Sequence, residues 1–230
     1  INALKAPIEK TMQDLRSEGF DFKPIEWCSG AYILISKSKF ELSESKYFKE
    51  GYIYIQNASS LIPALIMNVR EGDFVLDMCA APGGKAIQVA GLGKNKIKLW
   101  VNDSMKHRYE TLLQLLPKYN VNVFNATMYK GEEIGSKIDI QFDKILIDAQ
   151  CSGEGMINFK NHHAMRYWSL ERIYRFHGLQ KKFLENGYKL LKPGGILVYT
   201  TCTFAPEENE NSIDYILRKH DDLSVEKIEL

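Results

Sequence analysis

Apolar residues fall into two alternating patterns over most of the chain. Short apolar runs at Phe74-Val75-Leu76, Ile97 to Val101, Val121 to Phe124, Ile145-Leu146-Ile147 and Ile196 to Tyr199 are separated by longer stretches whose apolar positions recur every three or four residues. The short runs predict buried strands, and the periodic stretches predict helices over Lys85 to Ala90, Ser104 to Leu116 and Leu170 to Leu191. Their regular alternation predicts an α/β domain, a mostly parallel sheet with helices on both faces. Lys192-Pro193-Gly194-Gly195 predicts a break between the long helix and the strand after it. A further helix is expected over Glu207 to Arg218, and Leu223 to Ile228 has the pattern of a sixth strand.

The stretch before Phe74 is patterned differently. A helix is expected over Pro7 to Glu18 and a strand over Tyr32 to Ser36, in a surround rich in Ser and Lys. This is too little to fold alone, so residues 1–45 read as a partial small α+β module and residues 46–230 as the main domain.

Composition narrows the function. With 45% hydrophobic and 26% charged residues, the chain can bury a full core. Thirty Lys and Arg against 29 Asp and Glu leave a net charge of +1, so any nucleic-acid surface must be a local patch. Cys28, Cys79, Cys151 and Cys202 form no Cys-x-x-Cys pair, which argues against a zinc site or disulfide framework and for a reducing compartment. Ile1 to Lys10 lacks the order of a signal peptide, and no apolar run approaches the roughly 20 residues of a membrane span. The chain therefore reads as soluble and cytoplasmic, with no membrane partner and no metal.

Three strand ends carry candidate chemistry. Phe74 to Asp77 runs into Met78-Cys79-Ala80-Ala81-Pro82-Gly83-Gly84-Lys85, a small-residue turn before a helix, and ligands of open parallel sheets bind at such ends. A phosphate loop fails here, because Cys79 stands where its first glycine belongs and Ala86 where its hydroxyl belongs. What survives is a nucleoside site, with Asp103 at the end of the second strand able to bind ribose hydroxyls or, alternatively, to cap the helix that follows. The fourth strand leads into Asp148-Ala149-Gln150-Cys151-Ser152-Gly153, and the fifth into Thr200-Thr201-Cys202-Thr203. Neighbouring strands lie about 4.8 Å apart, so both thiols can reach one cleft, for redox chemistry or nucleophilic catalysis. Negative charge at Glu207, Glu208 and Glu210 opposes thiolate formation at Cys202 unless a helix N-terminus offsets it. Cys28 reads as a small buried hydrophobe.

Taken together and in this order, these motifs resemble the Nop/Sun family of RNA cytosine-5 methyltransferases. The resemblance spans nearly the whole chain, adding Asn2-Ala3-Leu4-Lys5, Gln56-Asn57-Ala58-Ser59-Ser60 and Leu191-Lys192-Pro193-Gly194-Gly195. It implies a Rossmann-like class I methyltransferase fold preceded by part of an RNA-binding module. It also implies an S-adenosylmethionine site lined by Cys79, Ala80, Ala81, Pro82, Gly83, Gly84, Lys85, Asp103, Arg108 and Asp148. Cys202 is then the nucleophile and Cys151 assists product release, with Asp148 acting at the cytosine ring and Lys85 as a second polar contact. The implied partner is ribosomal or transfer RNA, met by a monomer with help from another protein or a further domain.

The sequence departs from the family pattern at Gln150, which stands where proline is usual, and at Asn125 to Tyr129, where an aspartate is missing. It also opens inside the small module and stops before a last strand. A catalytically silent relative and a methyltransferase acting on DNA or a small molecule are the alternatives; the two-cysteine pattern favours RNA. Lys160, His162, His163, Arg166, Tyr167 and Trp168 are candidate RNA contacts, or else a solvated helix start with Trp168 as a core anchor.

Overall fold

A computed structural model describes residues 1–158, 160–161 and 164–229. The N-terminal part holds α1 (Ile8–Ser17), an antiparallel pair of β1 (Phe22–Pro24) and β2 (Tyr32–Leu34), and the short helices α2 (Lys39–Glu44) and α3 (Lys46–Lys49). Leu15, Phe20, Leu42, Tyr47 and Ile53 pack into its own small core. The expected helix and strand are both present. The elements β1, α2 and α3 were not anticipated, although Ser38 and Glu41 form a reciprocal capping box that starts α2.

After α4 (Ile62–Ile66), the chain alternates β3 (Phe74–Asp77), α5 (Gly84–Leu92), β4 (Lys98–Asn102), α6 (Lys106–Lys118), β5 (Asn125–Thr127), β6 (Phe142–Asp148), α7 (Leu170–Leu190), β7 (Leu191–Thr200) and α8 (Glu210–Lys219). The five strands β3 to β7 are parallel, in the order β5-β4-β3-β6-β7. Successive strand residues point to opposite faces. Val75, Leu99, Val101 and Leu146 accordingly pack with Ala86, Val89, Leu112 and Leu116 of α5 and α6. Leu76, Trp100, Ile145 and Ile147 pack with Phe183, Leu184 and Leu190 of α7 and Ile216 of α8. Helices thus cover both faces, as the unbroken apolar runs required.

The strand order reverses between β3 and β6. At such a switch point the connecting helices depart to opposite faces and leave a crevice outside the carboxyl ends of the two strands. Asp77 and Asp148 are the last residues of β3 and β6, so the topology alone puts both acids at that crevice.

Four expectations need correction. The third strand is Asn125–Thr127, not Val121 to Phe124: Val121 and Val123 pack beneath the sheet as a lead-in, and polar residues make the edge ladder. Leu223 to Ile228 forms no strand, and Val225 and Ile228 are exposed. The Lys192 to Gly195 break lies inside β7. The register with β6 jumps from Phe142↔Leu191 to Lys144↔Ile196, and Lys192 anchors the bulge by an ion pair of 2.8 Å to Asp143. Helix α8 starts at Glu210 because a turn over Ala205 to Asn209 precedes it and draws Glu208 into the interior. No helix among the described residues is long and apolar enough to cross a membrane.

Candidate active site

The turn after β3 is held from below by β4. Asn102, itself buried, donates from its side chain to the carbonyls of Met78 and Tyr129 at 2.9 Å and accepts from the Thr127 hydroxyl and the Tyr129 N–H. Its own carbonyl accepts the Ala80 N–H at 2.8 Å. Gly83 has φ +121°, and a Cβ on Gly84 would stand 2.8 Å from the Tyr54 ring, so both glycines are required where the turn enters α5. Asp103 is 2% exposed, accepts the N–H groups of Ala81 and Met105, and faces Arg108 at 3.5 Å. The Arg108 guanidinium also donates to the Ala81 carbonyl. Asp103 therefore braces the turn from behind and ties it to Met105, the residue before α6, without capping the helix itself.

In front of the turn is a cavity of about 160 Å³ walled by Cys79 to Pro82, Gly84, Lys85, Asp77 and Asp148, with Tyr54, Gln56 and Ser60 closing it. Of the expected cofactor residues, Gly83, Asp103 and Arg108 stand outside this wall. Asp77 is its most unusual member: it is 1% exposed, and neither carboxylate oxygen has a hydrogen-bond partner among the described residues. Burial, followed by the charge of Asp148, pushes its pKa up to about 7. A buried acid left without a donor fits a ligand that brings one, and the ammonium group of S-adenosylmethionine is such a donor. The sequence places Asp77 at the start of the cofactor turn, Asp77 to Lys85, as an acid ending a strand that is otherwise apolar. Tyr54, Gln56 and Ser60 were missed as cavity residues. A larger groove of about 670 Å³ runs between the N-terminal part and α5, lined mainly by apolar side chains such as Ile8, Phe22, Leu34 and Ile87.

Beside the cavity, β6 and β7 run in register, Asp148 opposite Thr200, and the Ala149 N–H donates to the Thr200 carbonyl at 2.9 Å. The two strand ends deliver Cys151 and Cys202 to one point, with their sulfurs 3.1 Å apart and both thiols free. Cys202 is exposed and Cys151 half-buried. The hydrogen bond from Cys151 pushes the Cys202 thiol down to about 7, and as donor Cys151 is itself raised. The acidic run after Cys202 does not dominate its acidity, since Glu208 turns inward and Cys151 supplies the main influence. Lys85 and Asp148 form an ion pair of 2.6 Å that ties the turn to the end of β6. Burial holds the Cys79 thiol well above its ordinary value, so it is a wall and not a nucleophile. Cys28 is buried, as expected.

The candidate RNA contacts divide. Lys160, Arg166 and Tyr167 are exposed, and His162 and His163 lie outside the described residues. Trp168 is 40% exposed and donates from Nε1 to Glu154 at 2.7 Å, so it is no core anchor. Glu154 also accepts the Thr203 hydroxyl and the Phe204 N–H, linking this surface to the loop of Cys202. Gln150 has its carbonyl held by the Gln180 side chain at 2.9 Å.

A doubly wound sheet of this strand order, with a glycine turn and one buried and one half-buried acid at its switch point, is the sheet of a class I methyltransferase. Comparison with known proteins narrows the class: the family described as 16S rRNA methyltransferase RsmB/F matches residues 64–230, and the chain belongs to that family. It is 36% identical over 230 residues to a tRNA (cytosine(49)-C(5))-methyltransferase of Pyrococcus abyssi, covering all of this chain and 73% of that protein. It is also 36% identical over 213 residues to the ribosomal RNA small subunit methyltransferase F of Vibrio parahaemolyticus, covering 91% of this chain and 44% of that one. The chain thus spans less than half the length of this bacterial relative. Among solved structures, a methyltransferase homolog protein from Pyrococcus horikoshii superposes with a TM-score of 0.84 at 34% identity, covering 96% of this chain and 69% of that one. NSun6 from the same organism, solved with SFG, shares the fold with a TM-score of 0.80 at 22% identity, over 95% of this chain and 78% of its own.

Proposed function

We propose that this chain methylates carbon 5 of a cytosine in structured ribosomal or transfer RNA, through a covalent bond between Cys202 and carbon 6 of the base. The observation that carries this reading is the thiol pair, 3.1 Å apart, with the acidified member exposed next to a cavity walled by two buried or half-buried acids.

S-adenosylmethionine, when bound, supplies an electrophilic methyl group. Asp77 gives a carboxylate for its ammonium end, the turn from Cys79 to Lys85 lets the backbone approach it closely, and Asp103 with Arg108 keeps that turn in shape or takes the ribose hydroxyls. Cytosine carbon 5 is a weak nucleophile. Addition of the Cys202 thiolate at carbon 6 converts the ring to an enamine whose carbon 5 accepts a methyl group. Asp148, oriented by Lys85, hydrogen-bonds or protonates ring nitrogen 3 and so favours that addition. The carbon 5 proton then passes to a base, with Cys151 assisting this release step. The C5–H electron pair restores the double bond between carbons 5 and 6, the bond from carbon 6 to sulfur breaks so that Cys202 leaves as thiolate, and ring nitrogen 3 returns its proton to Asp148. Exposed Lys160, Arg166, Tyr167 and Trp168 offer phosphate and stacking contacts to the RNA. Residues 1–45 act as part of an RNA-binding module for the domain formed by residues 46–230, and a reducing compartment such as the cytoplasm keeps both thiols free.

The test is methyl transfer from labelled S-adenosylmethionine to tRNA and small-subunit rRNA transcripts, with the product base identified. 5-Methylcytosine in one of the two supports the reading and names the substrate. A labelled base other than cytosine, or none in either RNA with cofactor bound, rules it out.

A further inference from the structure

Two buried polar residues outside the reacting groups grip the loop that carries Cys151. Glu208 is 0% exposed, and its carboxylate accepts the Ser152 backbone N–H at 3.0 and 3.2 Å and the Gln180 side-chain amide at 2.8 Å. The same Gln180 nitrogen donates to the Gln150 carbonyl at 2.9 Å. Gln180, also 0% exposed, projects from α7. Gln150 and Ser152 are the two neighbours of Cys151, so the backbone is held on each side of the thiol. The clamp is anchored in turn to β7, because the Tyr199 hydroxyl donates to the Glu208 carbonyl at 2.6 Å.

Burying a carboxylate and an amide is costly in desolvation, which their hydrogen bonds only offset. The Gln180 carbonyl oxygen has no partner among the described residues, so stability gives little reason for this pair. Their geometry gives another. Proline at position 150 would fix φ near −65° just before Cys151, and glutamine leaves that torsion free. Hydrogen bonds at residues 150 and 152 restore the missing restraint from outside the loop.

We propose that Gln180 and Glu208 are positioning residues that hold Cys151 against Cys202 for the release step, replacing the restraint a proline at position 150 would give. The inference rests on Cys151 acting in release, as assigned above.

The experiment compares the full chain with Q180A, E208Q, C151A and the pairwise combinations, incubated with methyl donor and substrate RNA and resolved by denaturing electrophoresis. Q180A and E208Q should each accumulate a protein–RNA adduct and lose about tenfold in turnover, the worth of one well-made buried hydrogen bond, with cofactor affinity unchanged. Adding either change to C151A should raise the adduct no further. Q150P should restore turnover to Q180A, which a merely structural role for Gln180 would not allow. Should Q180A fail to fold, as judged by thermal unfolding, the near-isosteric E208Q carries the comparison. If C151A traps RNA while folded Q180A and E208Q turn over normally, the clamp is wrong and the release role stands. If C151A itself releases RNA normally, the release role is wrong and the clamp falls with it.

Discussion

Lys85 and Asp148 meet at 2.6 Å across the switch-point crevice, joining the first residues of α5 to the last residue of β6. The pair couples the cofactor turn to the strand that leads into Cys151. If Asp148 serves the cytosine ring, Asp148→Asn should lower single-turnover methyl transfer by roughly 10²-fold or more, the usual worth of a positioned acid–base group. Lys85→Met should cost less, because it disorients the carboxylate without removing it. Equal small effects of the two changes would place Asp148 in cofactor binding alone.

Asp77 predicts a stability profile for the ligand-free chain. Its pKa is about 7 in the fold against 3.8 for an ordinary aspartate, the value expected once the chain unfolds, so between these values the native state holds a proton that the unfolded state has lost. Stability contributed at this site is therefore complete below pH 3.8 and falls as pH rises to about 7, by about 1.4 kcal/mol per unit at most. Asp77→Asn should equal the parent at low pH and exceed it in stability at pH 8. Cofactor affinity should fall in the same variant. Denaturant titrations across this range check the first outcome and calorimetry the second; a parallel pH dependence of the two proteins would contradict the burial argument.

The hydrogen bond between the thiols makes Cys202 reactive near neutrality. Its alkylation by iodoacetamide should rise through a midpoint near pH 7, the value to which Cys151 holds it. Cys151→Ala removes that donor and should move the midpoint upward. An unchanged profile would mean that the neighbouring thiol does not set the acidity of Cys202.

Asn102 makes four side-chain hydrogen bonds while 1% exposed, and no part of the reaction needs it. Asn102→Ala strands the Met78 and Tyr129 carbonyls and the Tyr129 N–H, at a cost of about 2–4 kcal/mol. Thermal unfolding should show that loss together with weaker cofactor binding, because the turn at Met78 to Ala80 loses its support. Full stability in this variant would show that water replaces the lost partners.

The sheet was legible because its strands are continuous apolar runs, which only burial on both faces demands. Val121 to Phe124 misled because Val121 and Val123 are apolar for packing beneath the sheet, while Asn122 and Phe124 are exposed; the edge strand Asn125–Thr127 is mostly polar and pairs through its backbone on one side only. Leu223 to Ile228 carried the pattern yet pairs with no strand among the described residues, and Val225 and Ile228 stay exposed. At the candidate site, Cys79 to Lys85, Asp148, Cys151 and Cys202 could be read because each sits at or just past the end of a recognisable strand. Tyr54 could not, and Gln56 and Ser60 were seen only as part of a motif without a role, since all three reach the cavity from the segment before β3 whose path only the folded chain defines. Gln180 and Glu208 were equally hidden, because a buried glutamine in a long amphipathic helix and one glutamate in an acidic run look like surface residues until their partners are known.

The most direct test of the account is which cysteine becomes joined to RNA. Parent, Cys202→Ala and Cys151→Ala proteins are incubated with S-adenosylmethionine and substrate RNA, then run on a denaturing gel. The account predicts no adduct with Cys202→Ala and a persistent protein–RNA band with Cys151→Ala, which attacks but does not let go. An adduct with Cys202→Ala and none with Cys151→Ala would contradict it, and would assign the nucleophile to Cys151.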